Sequence, residues 1–276
     1  MRRDQYPRVF GCPQIESDEA LSSWVMAVAA VTREHVRELY NLWNLHIEGN
    51  LYEIDVRPES LPFAAMASAA MVPVSSIQAA TRMFRTVLSR PEYRCLTRRS
   101  NGKPMHRYCP SCLLEGPRPY VRAVWRLAYW NVCERHGRRL LDRCPECLGV
   151  INCSNYLRIK HRKDVVRILA CCPECGHDLR RAPLVQAPES LVTALTQAQR
   201  RIHRLITSPV QRFQVGTISS SSVLELFLVR GGGTRERPNF VGINWARLLE
   251  NYHGSDELVY PGSGLSELEW LREPQE

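Results

Sequence analysis

Apolar residues recur every three or four positions in several stretches of the chain, and this spacing predicts amphipathic helices. The first helix should begin just after Ser17, a good N-cap residue, with Asp18 and Glu19 in its first turn. Its apolar face consists of Leu21, Trp24, Val25 and Val28. A second helix should follow at about residues 33–43.

Two further short helices are predicted at about residues 61–70 and 76–89, and the capping box Ser75-x-x-Gln78 should open the second of them. A tight turn around Pro73 separates the two helices, as in a helix-turn-helix. A helical unit that only packs or binds protein has the same pattern, so both interpretations stay open.

Apolar residues again recur at helical spacing near the end of the sequence, and they predict helices at about residues 189–206, 223–229 and 244–251. The three glycines at 231–233 lack the Lys-Ser/Thr that follows in a phosphate-binding loop, so they indicate no nucleotide site. The expected fold is mostly α with small zinc-ribbon β elements. It should comprise an N-terminal helix-turn-helix-like domain (1–90), a double zinc-binding domain (91–183) and a C-terminal helical region (184–276).

Four pairs of potential metal ligands lie in the middle of the chain, each with a gap of two residues. The first set is Cys109, Cys112, Cys133 and His136, and the second is Cys144, Cys147, Cys172 and Cys175. Such a gap lets both side chains of a pair turn toward one ion, and closed sets of thiolates and imidazole suit structural zinc. We therefore predict two Zn²⁺ ions per chain.

One ligand of the second set is chosen on spacing alone. Cys171 and Cys172 are adjacent, and only Cys172 produces the turn sequence Cys-Pro-x-Cys-Gly, so it is preferred. His161 and His177 could replace a ligand, although neither has the two-residue spacing. The remaining cysteines are expected to be small buried residues rather than ligands: Cys12, Cys95 and Cys153.

The net charge of +9 comes entirely from this middle segment. Residues 91–183 carry 19 basic and 8 acidic side chains, whereas residues 1–90 and residues 184–276 each carry 9 basic and 10 acidic ones. A concentrated positive charge attracts polyanions, of which nucleic acid is the commonest. A merely well-solvated surface is the alternative.

Six basic side chains of this segment are candidates for nucleic-acid contact. Arg118, Arg122 and Arg126 recur every four residues in a helix predicted to begin near Pro119, where they would form one stripe. That stripe could equally face water. Arg158, Lys160 and Arg162 alternate with apolar residues, as on a half-buried strand of a zinc ribbon.

Common catalytic motifs are missing from the sequence, which contains no His-Glu-x-x-His, Gly-x-Ser-x-Gly or Walker pattern. His46-Ile47-Glu48 lacks the Pro-Cys-x-x-Cys that completes a deaminase zinc site. We therefore expect no enzymatic activity. No apolar run approaches the roughly 18 residues of a membrane span, and no apolar stretch follows the basic start, so a cytoplasmic protein without membrane contact is expected.

Three segments resemble the TniQ family of transposon target-selection proteins, whose larger members include TnsD. They are the acidic-Leu-Ser-Trp opening at 18–24, the Arg-Tyr-Cys-Pro-Ser-Cys run at 107–112, and the segment from Trp125 through Cys133-Glu-Arg-His-Gly to Cys147. The last combination is the most distinctive. The resemblance extends from about Pro7 to Asp178.

This resemblance implies a prokaryotic, non-catalytic adaptor in DNA transposition. Its expected partners are a AAA+ transposition regulator ATPase, DNA, a CRISPR effector complex with its guide RNA in some members, and a second copy of the chain. A free-standing zinc-ribbon or helix-turn-helix transcription regulator is the alternative function. Because residues 1–90 are slightly acidic, they are expected to contact the ATPase, through exposed aromatic side chains such as Tyr40 and Trp43.

Overall fold

The computed structural model describes residues 11–45, 53–56, 61–87, 97, 99–100, 103–151, 169–184, 189–207, 228–230 and 240–243. The chain divides into two compact units, Met1–Val192 and Thr193–Glu276. The predicted strand at 157–162, with Arg158, Lys160 and Arg162, and the predicted helix at 244–251 lie outside the described residues. The three-domain division remains a prediction.

Helices dominate the described residues. Their bounds are α1 Leu21–Thr32, α2 Val36–Leu42, α3 Phe63–Ala70, α4 Val74–Val87, α5 Pro110–Leu114 and α6 Glu189–Thr207. Short 3-10 helices cover Glu53–Val56, Ala123–Arg126 and Leu179–Arg181. The four N-terminal helices and α6 confirm the helices predicted from apolar spacing. None of the described helices has both the length and the apolar composition needed to cross a lipid bilayer.

The described strands form three separate antiparallel pairs. They are β1 Arg99–Ser100 with β2 Lys103–Pro104, β3 Val132–Cys133 with β4 Arg138–Arg139, and β5 Leu228–Arg230 with β6 Phe240–Ile243. The predicted helix at 223–229 is therefore wrong at its end, because residues 228 and 229 belong to β5. Val and Leu suit either structure, and pairing with β6 decides in favour of the strand.

The start of α1 differs from the prediction. Ala20, rather than Ser17, is the N-cap residue, and its side chain makes no capping hydrogen bond. The backbone just before α1 is extended and pairs with a distant segment: the Ala20 N–H donates to the Val121 carbonyl at 2.9 Å, and the Ala123 N–H donates to the Asp18 carbonyl at 2.8 Å. These two bonds hold residues 18–20 out of the helix.

The same pairing explains why the predicted helix beginning near Pro119 is wrong. Its middle is extended where it meets residues 18–20, and only the 3-10 helix Ala123–Arg126 is helical. A continuous α-helix would use the backbone N–H of Ala123 internally, whereas here that N–H bonds to Asp18. The Arg118, Arg122 and Arg126 side chains therefore do not form one helical stripe.

An aromatic cluster occupies the core between α1 and α2. Trp24 and Trp43 are fully buried, with ring centroids 6.0 Å apart and planes 9° apart. Tyr40 is 2% exposed, and its ring centroid lies 6.2 Å from that of Trp43. The prediction that Tyr40 and Trp43 are exposed partner contacts is therefore wrong. Their apolar spacing on α2 reflects core packing, which is the usual role of aromatic residues on a helix face.

A buried ion pair joins the N-terminal helices to the middle segment. The Arg126 guanidinium bonds to the Asp55 carboxylate, and both side chains are at most 1% exposed. Asp55 also accepts hydrogen bonds from the Ser22 backbone N–H at 2.8 Å and the Ser22 hydroxyl at 2.5 Å. The Arg126 guanidinium carbon lies 5.7 Å from the centroid of the Phe84 ring. Side chains from α1, α4 and two 3-10 helices thus meet at one buried charge pair.

A second set of ion pairs lines the contact between residues 18–20 and 118–122. Arg118 donates to both carboxylate oxygens of Glu19, whose side chain is fully buried, with the longer contact at 2.7 Å. Arg122 donates to Asp18 at 2.5 Å. Burial raises the pKa of Glu19, and the bonds from Arg118 only partly offset that effect. We refer to these pairs and the Arg126–Asp55 pair together as the charged seam.

Candidate metal centres

The first metal centre is assembled by two short structural elements. Cys109 lies immediately before α5 and Cys112 within it, and Pro110 occupies the first turn of that helix. Cys133 ends β3, and His136 lies in the turn that leads to β4. Gly137 follows with φ of 58°, a left-handed conformation that glycine adopts without strain, and its N–H donates to the Cys133 carbonyl at 2.8 Å.

The four side chains of this centre converge on one point. The Cys112 and Cys133 sulfurs are 3.5 Å apart, and the His136 Nδ1 lies 3.3 Å from the Cys112 sulfur. All four candidate ligand atoms lie within 4.8 Å of one another. Ligands about 2.3 Å from a tetrahedral ion are separated by roughly 3.8 Å, so these separations fit one bound ion.

The pKa shifts of the cysteines in the first centre also favour a bound cation. Hydrogen bonds from the Cys112 and Cys133 thiols lower the pKa of Cys109 to about 3, despite its burial. The same contacts raise the pKa of Cys112, because a second thiolate would face the first one at close range. Without a cation, thiolates at both Cys109 and Cys112 would repel each other. A bound divalent ion removes that conflict.

His136 is oriented by an acidic neighbour outside the ligand set. Its Nδ1 faces the sulfurs, and its Nε2 lies 2.6 Å from a carboxylate oxygen of Glu115. With Nδ1 as ligand, Nε2 carries the proton and donates it to Glu115. A carboxylate in this position fixes the imidazole tautomer and strengthens the ligand, as in many metal sites. Glu115 was not identified from the sequence, although it follows Cys112 by only three residues.

The second metal centre is more open to solvent. Cys144 and Cys172 are fully buried, whereas Cys147 and Cys175 are exposed. The Cys144–Cys175 and Cys147–Cys172 sulfur distances are both 3.7 Å, which again fits the edge of a tetrahedron of thiolates. Gly176 follows the last ligand with φ of 77°. Both centres therefore contain the eight residues that the spacing predicts, and each cluster could hold a metal ion.

The second centre includes Cys172 and not its neighbour. Cys172 is buried within the cluster, while Cys171 is half-buried and bridges to Asp178 through its backbone. His177 also lies outside the ligand set, with its Nδ1 3.9 Å from Glu146. His161, Cys95 and Cys153 lie outside the described residues.

We expect Cys172→Ser to lower the bound metal from two ions per chain to one, because serine cannot supply a thiolate. Cys171→Ser is the matched control, and it should retain both ions since its side chain is not a ligand. Metal analysis of the purified proteins by mass spectrometry measures the difference. Loss of an ion in the Cys171 variant instead would show that the two cysteines are assigned the wrong way round.

The candidate nucleic-acid contacts Arg118, Arg122 and Arg126 are paired with acidic side chains instead of forming an exposed basic surface. Arg126 is buried and paired with Asp55, so it belongs to the core rather than to an exposed basic surface. Arg118 and Arg122 are 11% and 13% exposed and are both paired with N-terminal carboxylates. The structure thus uses these three arginines to join two parts of the same unit. Their spacing of four residues carried no information about the distant acids that receive them.

The described residues are mostly helical and include two clusters of four cysteine or histidine side chains, each of which could hold a metal ion. Residues 11–140 match the TniQ family model, a range that contains α1–α5, the charged seam and the first centre. Residues 11–140 of the chain therefore contain a TniQ-family domain. The domain associates the protein with target selection in transposition. The second centre begins at Cys144, beyond the matched residues, so the match ends earlier than the resemblance suggested. No curated protein matches the sequence.

Proposed function

We propose that this protein is a non-catalytic adaptor that selects target sites in DNA transposition and recruits a AAA+ regulator ATPase to them. The observation that supports this function best is the TniQ match, because it covers α1–α5, the charged seam and all four candidate ligands of the first centre. The target would be recognised on DNA directly or through a CRISPR effector complex with its guide RNA. A cytoplasmic location and a homodimer are part of the same proposal.

Zinc is the proposed ion in both centres. Thiolate and imidazole ligands in closed sets of four select Zn²⁺ over Mg²⁺ or Ca²⁺, which prefer oxygen. Neither set leaves a protein ligand position for water or substrate, as a catalytic zinc would need. The ions would therefore stabilise the fold around the charged seam and the second centre rather than take part in a reaction.

The surface that recruits the ATPase must lie elsewhere than on Tyr40 and Trp43. Leu148 is a better candidate, because it is a large apolar side chain that is 67% exposed. Its φ of 57° comes from the turn after a ligand pair, as at Gly137 and Gly176, since the Leu148 N–H donates to the Cys144 carbonyl at 3.0 Å. The exposed side chain directly after Cys147 fits a protein contact.

Reconstituted transposition tests the proposed function. The full-length protein is combined with the AAA+ ATPase and transposase of the same element, a donor and a target plasmid, and insertions are sequenced. We expect insertion sites to become focused only when the protein is present. An unchanged insertion distribution, together with specific binding of the protein to a promoter, would favour the stand-alone transcription regulator.

The recruitment surface is tested by capture of the ATPase on immobilised full-length protein. Leu148→Gly removes the exposed side chain and suits the left-handed turn, so it should keep both metal ions while losing at least about 1.4 kcal/mol of binding free energy, a tenfold weakening. Leu184→Ser, at a leucine that is 49% exposed, is the control and should bind normally. Full capture by the Leu148 variant would place the contact on another surface.

A further inference from the structure

The second metal centre differs from the first in the exposure of its sulfur atoms. Cys147 and Cys175 are exposed, whereas Cys144 and Cys172 are buried. In the first centre all three cysteines are buried. Cysteines that bind a metal are thiolates, and the thiolate is the form that reacts with peroxides. Susceptibility to oxidation follows thiolate character and exposure together, so the second centre is the more susceptible of the two.

Each exposed sulfur of the second centre has a buried sulfur close to it. The Cys147–Cys172 and Cys144–Cys175 sulfur distances are both 3.7 Å. A disulfide bond is about 2.0 Å long, so a movement of less than about 2 Å would join either pair. Gly149 adds no side chain beside the Cys147 sulfur, where a β-carbon would lie 3.2 Å from it. An accessible thiolate next to a second thiolate is the arrangement that a peroxide-sensitive site requires.

The residues just before the second centre are held by contacts that involve no sulfur atom. The Tyr108 hydroxyl donates to the Arg143 carbonyl at 3.0 Å, and the Leu141 N–H donates to the Tyr108 carbonyl at 2.9 Å. None of the three ion pairs of the charged seam includes a residue of the second centre. Loss of the second ion should therefore rearrange residues 144–149 and leave α1–α4 folded.

We propose that the second centre is a site of reversible oxidation by hydrogen peroxide. The Cys147 thiolate attacks one peroxide oxygen, the O–O bond breaks, and a sulfenic acid and a hydroxide ion form. The Cys172 thiolate then attacks the Cys147 sulfur, so that a disulfide forms and a second hydroxide ion leaves. Two sulfurs thus lose two electrons to one peroxide molecule, and the hydroxide ions take protons from the solvent to become water. Cys175 and Cys144 react in the same way with a second peroxide molecule.

Oxidation should change both the metal content and the surface of the second centre. Disulfide sulfurs are not thiolate ligands, so the oxidised centre releases its ion. A dithiol reductant reverses the reaction by thiol–disulfide exchange, after which the four thiolates can bind zinc again. Leu148 directly follows Cys147, and its N–H donates to the Cys144 carbonyl at 3.0 Å. Rearrangement of this turn should weaken capture of the AAA+ ATPase, and this last step alone rests on the proposed function.

Oxidation of the full-length protein, purified with both zinc ions, tests the proposal. The reduced protein is treated with hydrogen peroxide and desalted, and its bound zinc, disulfide-linked peptides and far-UV circular dichroism are measured. We expect bound zinc to fall from two ions per chain to one, disulfides to form among the four cysteines of the second centre, and the helical signal to be retained. Dithiothreitol with added zinc should restore the second ion. Retention of both ions, loss of both together, or oxidation that dithiothreitol cannot reverse would overturn the proposal.

Two cysteine variants serve as matched controls. Cys147→Ser should hold one ion, and peroxide should release none of it, because that ion lies in the buried first centre. Cys171→Ser removes a half-buried cysteine outside the ligand set, and it should lose one ion to peroxide as the wild-type protein does. Release of zinc from Cys147→Ser would place the susceptible site in the first centre. Resistance of Cys171→Ser would make Cys171 the reacting thiol, and either result would reject the proposal.

Capture of the ATPase by the oxidised protein separates this proposal from the proposed function. Reversible loss of one ion together with weaker capture would support both. Reversible loss of one ion with unchanged capture would support the oxidation site and reject Leu148 as the recruitment contact. Capture that depends on Leu148, with no loss of zinc in peroxide, would support recruitment and reject the oxidation site.

Discussion

Asp55→Ala should destabilise the N-terminal unit by about 3–5 kcal/mol, because it leaves the buried Arg126 guanidinium without its counter-charge. It also removes the acceptor for the Ser22 N–H and hydroxyl. Whole domains are stable by only about 5–15 kcal/mol, so this single change should bring the unit close to unfolding. Equilibrium unfolding in urea, followed by far-UV circular dichroism, measures the loss.

A double variant separates the charge from the packing. Asp55→Leu combined with Arg126→Met removes both charges, and such replacements of a buried pair are often neutral or stabilising. We therefore expect the double variant to recover most of the stability that Asp55→Ala loses. Glu38→Ala, which removes an exposed acid on α2, is the control for charge loss alone and should change stability by less than about 0.5 kcal/mol. Equal losses in Asp55→Ala and Glu38→Ala would show that the pair contributes nothing to folding.

Cys133→Ser should have the largest effect of any single substitution, because it removes a buried ligand of the first centre. A structural zinc ion contributes about 10–16 kcal/mol of apparent binding free energy to folding, which exceeds the stability of most domains. The loop between Cys112 and Cys133 also carries Arg118, Arg122 and Arg126. Loss of the ion should therefore release the charged seam and unfold the helices that pack on it.

The equivalent change in the second centre, Cys147→Ser, should be milder. Cys147 is exposed, and the second centre contributes no arginine to the charged seam. We expect both variants to bind one ion instead of two, but only Cys133→Ser to lose the cooperative thermal unfolding of α1–α4. Metal analysis and thermal unfolding on the same samples make the comparison. Equal loss of helical signal in the two variants would contradict the role given to the first centre.

Chelation of the wild-type protein should also distinguish the two centres, with the second ion lost before the first. Two exposed thiolates make the second ion the more accessible one, so a competing chelator with a colorimetric readout should remove it first. A fast phase of one ion, with helical signal retained, should precede a slow phase of the second ion accompanied by unfolding. Release of both ions in one phase would show that the two centres are equally protected.

The sequence alone determined the two metal centres and the helices. Ligand spacing is local: a gap of two residues lets both side chains of a pair turn toward one point, so spacing was sufficient to predict the eight side chains that converge in the two clusters. Apolar spacing is local in the same way, and α1–α4 and α6 lie close to where it placed them. The TniQ-family domain could also be recognised, because its motifs are contiguous and contain the candidate ligands of the first centre.

Only the tertiary structure decided what the charged and aromatic side chains do. Arg118, Arg122 and Arg126 have the spacing of a helical stripe, but their partners Glu19, Asp18 and Asp55 are between 71 and 104 residues away in the chain. Spacing along the chain cannot reveal a partner so far away. The sequence also does not distinguish an arginine that is buried in an ion pair from one that is exposed. Tyr40 and Trp43 are equally ambiguous, since an aromatic face can bind a partner or pack against the protein's own core. The stacking of Trp43 on Trp24 and the burial of Asp55 come from long-range packing, which no local pattern in the sequence shows.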